Sequence, residues 1–176
     1  MQMIKPQDVV VLCKILAKQN DQQWSQNSIA SELFLSPSQI NGAFRNLVAA
    51  GLLTQYHSKS KPEPILQACE EFFIHALKYL FPARMGEISR GIPTSYAAHL
   101  KDEIHAGSEP IPVWPYAEGK KRGVALKPLY HTVPKSIDKY PDALFYEFLG
   151  LLDAIRSGRA REKNIAARKI SNLLKG

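Results

Sequence analysis

Eight of the twelve prolines in this chain fall between Phe81 and Pro141: Pro82, Pro93, Pro110, Pro112, Pro115, Pro128, Pro134 and Pro141. Proline lacks the backbone donor and clashes with the preceding helical turn, so long helices are excluded from most of that span. Helices are therefore confined to the two ends, and the middle is expected to hold short strands and ordered loops. Trp, Tyr, Ile and Val among the prolines are too frequent for a disordered linker. One hairpin is predicted there, Val113 to Ala117 and Gly123 to Lys127 around a turn at Glu118 to Lys121, with a short helix within Ser95 to Ile104. The fold class expected is mainly α, of the α+β type.

The N-terminal end carries the clearest local signals. Lys5 to Gln19 reads as a helix with Val9, Leu12, Cys13 and Leu16 at helical spacing, and Trp24 reads as a core residue. Ser25 caps a second helix with Ile29, Ala30 and Leu33 on its buried side, and Leu35 closes a tight turn. Ser36 is the next N-cap, with Pro37 where no N–H is needed and Gln39 completing a capping box. Ile40, Phe44, Leu47 and Val48 then form one apolar stripe, and Gly51 supplies a left-handed stop. Ser38, Gln39, Asn41, Gly42, Arg45 and Asn46 lie on the other face. These are the side-chain types that pair with base edges and phosphates, Arg with guanine and Asn or Gln with adenine, so the expected partner is double-stranded DNA.

Lys5 to Leu53, above all the ending FRNLVAAGLL, resembles the start of a winged-helix domain of the MarR-like bacterial regulators. The resemblance implies a winged helix-turn-helix DNA-binding domain over residues 1–62 and a dimerisation or partner-binding α+β region over 63–176. It implies that Gln39, Asn41, Arg45 and Asn46 read bases while Ser36, Ser38, Lys59 and Lys61 hold phosphates. Pro62 and Pro64 leave little room for a second wing strand, so the wing is expected to be short, with Lys59 and Lys61 at its tip. A helix is expected from Pro64 to about Leu80, with Leu66, Cys69, Phe73, Ala76, Leu77 and Leu80 along one side. In MarR-like proteins such a helix often joins a homodimer interface.

Arg84 and Arg90 with Gly86 and Gly91 suggest an anion or partner site within PARMGEISRGIPTSY, weighed against a turn-rich linker. The segment FPARMGEISRGIPTSYAA is similar to regulators encoded beside nucleotidyltransferase-like toxins, which implies a toxin as an alternative protein partner. Two further helices, Asp142 to Arg156 and Ala160 to Lys175, close the chain. From Arg156 onward seven basic residues stand against Glu162, so six of the seven net positive charges lie there. Arg159, Arg161 and Arg168 are thus candidate phosphate or partner contacts.

Cys13 and Cys69 read as buried thiols of a reducing compartment, and no apolar run suggests a leader or a membrane span, so a cytoplasmic protein is expected. The five histidines show no metal-ligand spacing, and no nucleotide-binding or GxSxG signature is present. No catalytic residue, metal or cofactor is expected. A third reading, a ligand-responsive regulator, would hold a small apolar molecule between the helix ending at Leu80 and Trp114.

Overall fold

The computed structural model describes residues 3–21, 23–55, 61–105 and 107–176. Those residues form a mixed α/β structure of eight helices and one three-stranded sheet. Helix α1 (Pro6–Ala17) is buried at every position from Asp8 to Leu16, more than a one-sided stripe provides, because α3 (Pro37–Ala49) packs on one side and α7 (Ala143–Ser157) on another. Its burial includes a charge. Lys14 is 0% exposed, with its Nζ 3.0 Å from Asp142 Oδ2, 3.8 Å from Glu32 Oε2 and 4.5 Å from the centre of the Phe145 ring. An ammonium taken out of water is tolerated only with such partners.

Helix α2 (Gln26–Leu33) buries Ile29, Ala30 and Leu33, and α3 buries Ile40, Ala43, Phe44 and Leu47. Trp24 is buried, edge-on to Phe44 at 6.4 Å. Gly51 takes φ 78°, the left-handed conformation that ends α3. After it, Leu53 bridges Pro64, Thr54 N donates to Glu63 O and Ile65 N donates to Leu52 O, so two short segments close a loop despite the prolines. Lys59 lies outside the described residues.

Helix α4 consists of Leu66–Glu71, a π-helical turn Phe72–Ala76 and Leu77–Leu80. Cys69, Phe73 and Leu77 are buried at a spacing of four. An ordinary helix of 3.6 residues per turn would rotate that row away from the core, and the wider π turn keeps it in line. The row packs within the chain, where Cys69 Sγ contacts Leu52 O and Ser171 Oγ donates to Glu70 at 2.6 Å. Leu66 and Leu80, expected on the buried side, are exposed instead, along with Tyr79.

The proline-rich segment departs most from expectation. Arg84 to Pro93 is largely strand: β1 (Met85–Pro93) pairs antiparallel with β2 (Pro112–Pro115) through Gly91 to Pro93 and with β3 (Lys121–Leu126) through Met85 to Gly91. The predicted hairpin is thus corrected. Both of its strands exist, but β2 and β3 run parallel, and together with β1 they close a three-stranded barrel. The physical reason is a backbone crossing. Residues 116–120 pass over β1 at Gly91, where a Cβ on Gly119 would stand 2.4 Å from Gly91 O and one on Gly91 would stand 1.9 Å from Trp114 O. Two glycines permit a contact no other pair allows. Helix α5 (Tyr96–His99) follows β1, and α6 (Val133–Lys139), which the sequence reading missed, starts with Pro134 in its first turn.

Helix α7 is capped by Asp142, whose Oδ1 accepts from Phe145 N, and α8 (Ala160–Lys175) buries Ile165, Ala166, Ile170 and Leu174. Asp153 of α7 anchors the sheet. Its Oδ2 accepts from Thr94 Oγ1 and Trp114 Nε1, and its Oδ1 from Arg156 Nη1, all at 2.7 Å. Burial pushes its carboxyl up from the usual range, while Arg156 and the other donors pull it down. Arg156 also donates to the carbonyls of Phe81 and Pro82. One hydrophobic cluster runs from Val9 to Leu174, continuous across position 62. Cys13 and Cys69 are free and buried in it, and burial pushes the Cys69 thiol up to about 12. No helix among the described residues is long and apolar enough to cross a membrane.

Two outcomes follow from these buried groups. Asp153→Asn strands the Arg156 guanidinium without its counter-ion and should lower the unfolding free energy by about 3–5 kcal/mol in urea titration. His99 stands edge-on to Tyr146 at 4.7 Å with its Nδ1 unpartnered, and burial, with Lys169 and Lys101 nearby, pulls its pKa down to about 4. The unfolded imidazole takes a proton near 6.5 and the folded one only near 4, so stability should fall as pH drops through that window. His99→Phe should flatten this acid limb in denaturation curves measured between pH 7 and pH 4.

Candidate nucleic-acid interface

Helix α3 owes its position to contacts on three sides. Its N-terminus is set by the reciprocal cap, in which Gln39 N donates to Ser36 Oγ at 3.1 Å and Ser36 N donates to Gln39 Oε1 at 2.8 Å. Its apolar row lies on α1 and α2. The turn before it is unusual, because Phe34 takes φ 54° and ψ 42°, a left-handed conformation that disfavours a bulky side chain. The Phe34 ring is held by Tyr140, 5.7 Å away, and by Lys135, whose Nζ lies 4.3 Å from its centre. Ser136 Oγ donates to Glu32 O at 2.6 Å, so α6 braces the turn that aims α3.

The residues singled out on the polar face of α3 divide into two groups. Ser36, Ser38, Asn41 and Arg45 are exposed, and the last three, at spacings of three and four, share one side of the helix. Asn46 is half-buried and turned inward, its Nδ2 donating to Asp8 Oδ2 at 3.0 Å, which ties α3 to the start of α1. Gln39 is half-buried, occupied by the cap and within 3.5 Å of the Tyr130 hydroxyl. The face open to a large partner therefore contracts to Ser38, Asn41 and Arg45, with Ser36 at its edge.

Gly42 lies within this face, and a Cβ built there would meet nothing within 4 Å. Glycine inside a helix costs about 0.5–1 kcal/mol relative to alanine. No packing among the described residues requires it.

The remaining candidate residues are dispersed. Lys61 is exposed with its Nζ 4.7 Å from the centre of the Trp24 ring. Arg84 and Arg90 are exposed at the start and middle of β1, and Arg90 Nη1 donates to Gly119 O. The basic charge toward the C-terminus is partly absorbed by the fold. Arg156 is held in the Asp153 network, Arg159 lies 3.3 Å from Glu109, Arg161 donates to Glu103 O, and Lys169 pairs with Glu103. Arg168 is exposed on α8.

Sequence reasoning missed a basic set on β3 and the segment that follows it. Lys127 to His131 line a cleft with Lys5, Pro6 and Gln7 at the start of α1, and the run Lys120, Lys121, Arg122 enters β3. The run was visible as charge, but its pairing opposite Arg90 and Gly91 of β1 depends on contacts distant in sequence. A polar cavity of about 460 Å³ lies elsewhere, lined among others by Ser95, Tyr96, His105, Glu109, Ser157 and Arg159. The ligand site imagined beside Trp114 is corrected, since that indole is buried and bonded to Asp153.

Comparisons with family models, with curated proteins and with solved structures find no match for this chain.

Gly42→Ala tests whether a partner approaches α3 at this point. It should raise the unfolding free energy by about 0.5–1 kcal/mol, measured by urea titration, because the helix gains and nothing is crowded. It should also weaken binding to duplex DNA in a mobility-shift titration. Unchanged binding would show that no partner approaches the helix at this point.

Proposed function

We propose that this chain is a sequence-specific DNA-binding transcriptional regulator of the winged helix-turn-helix kind, acting as a repressor. The observation that carries the reading is the open face of α3, where Ser38, Asn41 and Arg45 surround a glycine that no internal contact requires. α2 and α3 serve as the helix pair, and the N-terminal half of α3 enters the major groove. Arg45 and Asn41 have the donor geometry for guanine and adenine edges, while Ser36 and Ser38 at the helix start suit phosphate. Gln39 and Asn46 act indirectly by fixing the helix. The short loop closed by Leu53 and Pro64 takes the place of a wing, with Lys61 beside it.

The repressor works as a homodimer whose two α3 helices enter successive major grooves and occlude a promoter. The exposed apolar residues at the two ends of α4, Leu66 at one and Tyr79 and Leu80 at the other, are the surface we assign to association. The same residues support the second reading, an antitoxin-like protein that neutralises a partner toxin and represses its own operon. Sedimentation of the purified chain distinguishes them. A doubled mass lost in Tyr79→Glu supports the dimer, and a monomer that pairs one-to-one with the product of a neighbouring gene supports the antitoxin.

Arg45→Ala tests the central claim. Binding to the DNA upstream of its own gene should weaken by roughly 1–3 kcal/mol, with preference relaxed at one base-pair position in a substituted-site series. A uniform loss across all sequences would move Arg45 to the backbone, and no preference of the parent chain for its own upstream DNA over random duplex would overturn the reading.

A further inference from the structure

The ribbon formed by β1 and β3 carries a second basic surface. In its register Arg90 stands directly opposite Arg122, and Lys121 stands opposite Gly91. Directly opposed residues of an antiparallel pair project from the same face, where like charges destabilise the ladder. Arg90, Lys121 and Arg122 are exposed, and none of them forms an ion pair with a carboxylate among the described residues. Arg90 is nevertheless held in place by its bond to Gly119 O. The nearby acids are engaged elsewhere: the Tyr116 hydroxyl lies 2.9 Å from both Glu118 and Asp138, and Lys139 pairs with the same two carboxylates. Glu87 is exposed farther along β1.

Both ends of the ribbon are tied to the unit that carries α3. At the Met85 end, Lys127 N donates to Arg84 O, and the following residues reach the start of α1 and, through Tyr130, Gln39 of α3. At the Gly91 end, Tyr116 and Glu118 hold α6 through Asp138 and Lys139, and α6 braces Phe34 in the turn before α3. The basic surface is thus fixed to the helix rather than carried on a separate arm.

We propose that Arg90 and Arg122, which share one face of the ribbon while Lys121 projects from the other, form a phosphate clamp that grips the backbone of the same DNA duplex that α3 enters. A phosphate set between the two guanidiniums relieves their repulsion and takes charge-assisted bonds from both, a geometry that guanidinium favours. The ribbon then does the work that a full wing would do, and the inference rests on the DNA-binding reading above.

The test compares the full chain with the variant R90Q/R122Q on the DNA upstream of its gene and on random duplex, each over a range of salt concentrations. K163Q/K175Q, altered on α8, serves as the control, and circular dichroism checks that each variant folds. The ribbon variant should lose a salt slope of roughly 1–2 on both DNAs, about 0.9 for each phosphate contact, while keeping the preference between them. The control should keep the parent slope, and R90K/R122K should restore most of the loss. Sequence-preferring binding with an unchanged slope in the ribbon variant would overturn the clamp and leave the function of α3 standing. Binding of poly-glutamate that depends on the ribbon, with DNA binding unaffected, would reassign the surface to an acidic protein and also overturn it. Absence of DNA binding by the parent chain would overturn both.

Discussion

Asp153 holds together three parts of the chain that share no local sequence relation. Its carboxylate is the common acceptor for Thr94 at the end of β1, Trp114 in β2 and Arg156 one turn farther along α7. Through Arg156 it also fixes the carbonyls of Phe81 and Pro82, the segment that leads from α4 into the sheet. A buried carboxylate would be unstable alone, and hydrogen-bond donors with fixed directions make it a geometric reference point. The small sheet has little apolar area of its own. Its orientation therefore rests on this node and on Tyr146, whose hydroxyl donates to Pro93 O.

The proposed interface inherits that order at second hand. The sheet positions Tyr116 and Glu118, these hold α6, and α6 supports the left-handed Phe34 at the start of the turn into α3. A bulky residue in that conformation is unfavourable on its own and persists where the surroundings determine it. The helix face proposed to meet DNA is thus set by contacts from residues 116–140 as well as by its own cap.

How much of this was legible depended on range. The caps at Ser25, Ser36 and Asp142, the stop at Gly51 and the stripes of α1, α3 and α8 are local signals, and they placed those helices within a few residues. The barrel was not legible, because nothing in VWPYAEGKKRG announces that its Gly119 will cross the backbone of Gly91, 28 positions earlier. The parallel pairing of β2 and β3 follows from the contact between Gly91 and Gly119, not from either strand. Helix α6 was missed for a different reason. Pro134 was counted against a helix, although in a first turn proline removes no needed donor. In the candidate interface, the residue types on α3 were readable, but Asn46 could not be assigned to Asp8, 38 positions away, without the fold.

Lys14 gives the structure a direction in time. Its closest carboxylate, Asp142, lies 128 residues later in the chain. At synthesis rates of roughly 5–20 residues per second, the ribosome takes about 6 to 26 seconds to deliver that counter-ion after Lys14 emerges. During that interval the first three helices have only Glu32 to offer the ammonium, 3.8 Å away in the finished protein. Asp142 and the Phe145 ring that cover Lys14 both belong to α7, so complete burial of that side chain waits for the last quarter of the chain.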